Sequence, residues 1–61
     1  MTKEKIMAEM IKKFGFEDHK VIWFITQVED HPQATDQQIK ELYDALMQLV
    51  TLAENLPKEW I

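Results

Sequence analysis

The feature that most constrains the fold is a long stretch of helical period over residues 35–56. Apolar side chains fall at Ile39, Leu42, Tyr43, Leu46, Leu49, Val50, Ala53 and Leu56, a one-faced spacing kept up for about five turns. Thr35 is a good N-cap, because its hydroxyl accepts from an orphan amide of the first turn. Gln38, three residues on, reaches back to complete a capping box, and Asp36 suits the positive end of the helix dipole. Asn55 and Pro57 end the helix, since proline lacks an amide donor and clashes with the preceding turn. With Ala45, Met47 and Leu52 added, the apolar positions span roughly 220° of the helix circumference. One buried face takes an arc of about 100° or somewhat more, and only Glu54 interrupts this one. The helix is therefore expected to meet neighbours on two sides.

A chain of 61 residues is read as one domain, 1–61. At this size only about 60% of the unfolded surface is buried, so association with a partner or a second copy adds needed stability. There is no cysteine, hence no disulfide and no thiolate chemistry. No apolar run nears the roughly 20 residues of a membrane span, so no membrane is expected. The first ten residues lack an apolar signal core and read as the start of a cytoplasmic protein.

The first helix is expected at about 2–14, capped by Thr2. Ile6, Met7, Met10, Ile11 and Phe14 form its apolar face, with Lys5, Glu9, Lys12 and Lys13 opposite. Gly15 supplies the positive φ that ends it, and Phe16 is expected to fold back onto Ile11 in a Schellman motif. Asp18 caps a second helix at about 18–30, whose buried face is expected to hold Val21, Ile22, Phe24, Ile25 and Val28. Trp23 falls off that face, toward water. Pro32 disfavours helix at His31, and the short connection to the third helix, at about 36–56, suits an antiparallel hairpin. The segment 57–61 has room for one further turn at most. These elements predict an all-α fold: a small three-helix bundle, a hairpin of helices two and three plus an N-terminal helix, with helix three at the centre and dimeric through it. Helices one and two, each about 18 Å, are shorter than helix three at about 30 Å. The last two turns of helix three should overhang unless the tail or another chain covers them.

The net charge is −4, and unevenly spread. Residues 1–20 hold five lysines and four acids, giving +1, whereas residues 21–61 hold two lysines and seven acids, giving −5. The chain contains no arginine, the usual reader of guanine edges and phosphate forks. Nucleic acid is thus not the expected partner, although helix–Gly15–helix has the rhythm of a helix-turn-helix. The segment that would read bases, from His19 to Ile25, is largely apolar. Glu-Asp-His occurs at 17–19 and again at 29–31. The copies stand about 18 Å apart along a helix, too far to share an ion, and both read as solvated polar segments. No metal or cofactor is expected. With no serine, no cysteine and no glycine-rich phosphate loop, neither enzymatic activity nor a small-molecule substrate is expected.

Two local stretches resemble known families. Pro32-Gln33-Ala34-Thr35-Asp36 resembles part of the acidic accessory proteins of iron–sulfur assembly, the IscX family. Thr35-Asp36-Gln37-Gln38-Ile39, with Tyr43, Ala45, Pro57 and Trp60, is similar to the nucleoid modulators of the Hha family. That family's Asp-His-Arg run is replaced here by Leu46-Met47-Gln48. No functional residue is carried over from either.

The residues themselves point to a small regulator or adaptor that binds another protein, or a second copy as a homodimer. Its candidate contact residues are Leu49, Leu52, Leu56, Trp23 and Trp60, since tryptophan is enriched at interface hot spots. Glu54, with Glu41, Asp44 and Glu59, would steer a basic partner. A second candidate is the acidic loop of Glu29, Asp30, His31 and Asp36. The alternatives from other classes are a nucleic-acid-associated regulator and a metal-responsive accessory protein using the Glu-Asp-His segments.

Overall fold

The computed structural model describes residues 1–56; the expectations placed on 57–61, including Trp60 and Glu59, lie outside the described residues. Among the described residues three helices form in order: α1 (Lys3–Phe14), α2 (His19–Asp30) and α3 (Asp36–Glu54). The fold is all-α, a small bundle in which α1 packs against both α2 and α3.

Each helix begins on the residue that the sequence singles out. The Lys5 amide donates to Thr2 Oγ1 (3.3 Å). Asp18 Oδ1 accepts from the Lys20 amide at 2.8 Å. At α3 the capping box closes both ways: the Gln38 amide donates to Thr35 Oγ1 (3.1 Å), and the Thr35 amide donates to Gln38 Oε1 (2.9 Å). These bonds satisfy amides that have no partner inside the helix.

The helix stops are less regular. Gly15 ends α1 with φ +88° and ψ 146°, its amide donating to Ile11 O at 2.7 Å. That φ favours glycine, but the extended ψ is not the left-handed helical value of a Schellman cap. The chain is sent outward instead of back, so Phe16 does not return to Ile11 and stays 69% exposed. α3 stops at Glu54, two residues before the expected end, with Asn55 as its C-cap.

The core is Ile6 and Met10 from α1, Val21, Phe24 and Val28 from α2, and Ile39 from α3. Met7, Ile11, Phe14, Ile25, Leu42, Tyr43, Leu46 and Met47 pack around it. The edge of one ring meets the face of the other between Phe24 and Tyr43, centroids 6.2 Å apart, joining α2 to α3. The centre of the packing is α1, not the expected α3. α1 is short enough to be covered along its length, whereas α3 contributes a single fully buried residue. Ile22, expected in the core, is 49% exposed. One helical step of about 100° from Val21 carries it to the flank.

Two polar junctions fix how the helices meet. At one end the Lys3 amide donates to Asp36 Oδ1 (3.2 Å) and Lys3 Nζ donates to Pro32 O (3.1 Å), tying the starts of α1 and α3 together. At the other end Lys20 Nζ lies 4.7 Å from the centroid of the Phe14 ring and 3.0 Å from Asp18 Oδ2. A cation over an aromatic face and an ion pair thus share one ammonium.

The hydrogen bonds from the Lys20 side chain and backbone lower the Asp18 carboxyl below its ordinary range. A lowered folded-state value stabilises the fold at pH above the unfolded value, and the contribution is lost as pH falls through the folded one. Wild type should therefore exceed Asp18→Asn in stability at neutral pH, and the difference should shrink in strong acid. Urea midpoints at the two pH values check this.

Candidate functional site

α3 outruns its supports. Nineteen residues make about 28 Å of helix, against about 18 Å for the twelve of α1. Because the two starts are tied at Lys3 and Asp36, the excess falls at the far end of α3. Burial follows the same gradient: Ile39 is buried, Leu42, Tyr43, Leu46 and Met47 are half-buried against the core, and Leu49 and Leu52 are each 63% exposed.

The outward side of α3 changes character along its length. Gln38, Glu41, Ala45, Leu49 and Leu52, spaced three or four apart, lie on one line of the helix, and all are exposed. The line is polar as far as Glu41 and apolar from Ala45 onward. Leu56, just beyond the helix end, continues it and is 42% exposed. The core-facing line is a different one, through Ile39 and Leu46. Leu52 sits about 140° round the helix from that line, so the expected second side of the apolar arc is present and uncovered within the described residues. Beside it lies a shallow apolar depression lined by Met47, Gln48, Thr51 and Leu52.

The other candidates fall elsewhere. Glu54 is two residues from Leu52, about 200° round the helix, and does not join the leucine line. It stands at the carboxyl end of α3, whose last turn carries no base. Asp44 is paired with Lys40 at 2.6 Å. Trp23 lies on the solvent side of α2, as its position predicts, 46% exposed beside Ile22. The acidic loop is divided in role. Asp36 is spent on the Lys3 amide, and His31 Nδ1 lies 2.9 Å from Gln27 O, an internal contact at the end of α2. Glu29 and Asp30 are exposed. Among the described residues no group of three or more His, Asp or Glu side chains is placed to hold a metal ion, and no helix is long and apolar enough to cross a membrane.

The helical pattern does not predict the exposure of Ile22 and Phe16 or the depression at Met47, Gln48 and Thr51. A signal for the depression is in the sequence: residues 45–53 carry no charge on any side of the helix. No family model, curated protein or solved structure matches the chain.

An acid at the carboxyl end of a helix opposes the dipole. Glu54→Lys should therefore stabilise the chain by about 0.3–1 kcal/mol at low ionic strength, seen as a higher Tm that falls back as salt is added.

Proposed function

We propose that the chain is a cytoplasmic protein–protein interaction module, a small regulator or adaptor that associates through the distal apolar face of α3. The observation that carries this reading is the pair Leu49 and Leu52, each 63% exposed on a helix whose other face already serves the core. Two large aliphatic side chains side by side, next to an apolar depression, make an exposed apolar patch, the usual mark of an association surface. The net charge of −4 favours approach by basic surfaces and discourages contact with nucleic acid. Trp23 and Ile22 on α2 form a second exposed apolar spot, available to a further contact.

A photo-crosslinking amino acid placed at Leu52 tests the reading in the host cell. It should give discrete protein adducts, and the same group at Ala8, exposed on α1, should give few or none. Equal labelling from both positions, or none from Leu52, would contradict the assignment of this face.

A further inference from the structure

α1 is the one helix that packs closely against both others. α2 and α3 meet each other only weakly, with the Phe24–Tyr43 edge as one link between them. Without α1 the hairpin of α2 and α3 is an open groove floored by Val21, Phe24, Val28 and Ile39, which Ile6 and Met10 close. We propose that this groove also receives α1 of a second copy, so that two chains exchange their first helices and form a dimer. The interface of that dimer is the one already present within the closed chain. Each core contact, and the ties from Lys3 to Asp36 and to Pro32 O, is remade between chains instead of within one. Exchange of an identical element is a low-cost route to a dimer for that reason. Leu49 and Leu52 take no part, so the exchange stands apart from the assignment of the distal α3 face.

Charge and the hinge both suit the exchange. α1 holds four lysines and two glutamates, +2, whereas α2 and α3 together hold two lysines and six acids, −4. The exchanging helix is therefore attracted to its receiver, although whole chains of −4 repel one another. The hinge is the four residues from Gly15 to Asp18, closed by the Asp18 amide donating to Gly15 O at 3.2 Å. Short hinge loops of this kind favour exchange when their closed conformation is made costly. Gly15 takes φ +88° and ψ 146° there, a region nearly reserved for glycine. A Cβ at Gly15 would meet nothing within 4 Å, so torsion alone calls for glycine, and opening the turn frees that torsion. Phe16, 69% exposed, is left in water by the closed chain. In the exchanged dimer the two hinges run side by side, and Phe16 of each copy packs against the other, removing apolar surface from water.

Sedimentation equilibrium of the full chain tests the exchange through substitutions of opposite sign. Gly15→Ala penalises the closed turn of both chains, so the dimerisation constant should rise about tenfold or more. Phe16→Ser should lower it several-fold, and Leu52→Asp should leave it unchanged. The chain has no cysteine, which makes introduced cysteines clean reporters. Lys3→Cys and Asp36→Cys proteins, mixed at high concentration under mild oxidation, should give a 3–36 disulfide between chains. Both changes in one chain, oxidised while dilute, should lock α1 onto its own groove and hold the protein monomeric until it is reduced. A Gly15→Ala chain that stays monomeric at every concentration, whether or not circular dichroism shows it folded, would overturn the exchange. So would a locked chain that still dimerises, or the absence of a 3–36 disulfide between chains. A dimer that Leu52→Asp abolishes would also overturn it, and would place the contact between copies on the distal face of α3 instead.

Discussion

Burial of Ile6 and Met10 between two other helices is the interaction on which the rest of this structure depends. Each side chain is at most 1% exposed, and each touches a core that both α2 and α3 help to build. Burying a side chain of this size stabilises by about 1.5–3 kcal/mol. A chain of 61 residues has few such side chains to bury, so each one counts. The polar junctions at Lys3–Asp36 and Phe14–Lys20–Asp18 therefore matter more for alignment than for energy. They hold α1 in the position from which its apolar face reaches both neighbours.

That alignment creates the functional question. Because Lys3 is tied to Asp36, α1 and α3 start level, and the shorter helix cannot cover the longer one to its end. A chain without a use for the excess would be expected to stop α3 near Met47, or to turn its outward side polar there. The sequence does the reverse, replacing Gln38 and Glu41 by Ala45, Leu49, Leu52 and Leu56 along the same line. An apolar surface that grows as the core falls away is hard to account for by folding alone, and it is well suited to association.

Much of this is legible in the sequence. Thr2, Asp18 and Thr35 announced the helix starts because capping is local chemistry, set by one side chain and an amide two or three residues away. The core positions of α1 followed from period alone. Non-local information was harder to read. Period places an apolar residue on a face but does not say which neighbour covers it, so the spacing predicts a buried Ile22 and a central α3, where the structure has an exposed Ile22 and a central α1. The ψ of Gly15 depends on where α2 packs, so local sequence predicts a return of Phe16 that the structure does not have. The overhang follows from helix lengths. The chemical identity of the exposed line needed the burial gradient as well, since only then do Leu49 and Leu52 separate from Leu42 and Leu46 as serving a different surface.

The central claim is that the distal apolar line of α3 is not part of the chain's own core. The most direct measurement is urea unfolding of Leu52→Asp against wild type, followed by circular dichroism in dilute solution, where association contributes least. The account predicts unfolding free energies within about 0.5 kcal/mol of one another, the range of ordinary surface substitutions. A loss of about 2 kcal/mol or more, the scale on which a core leucine is missed, would contradict it and return Leu52 to the core.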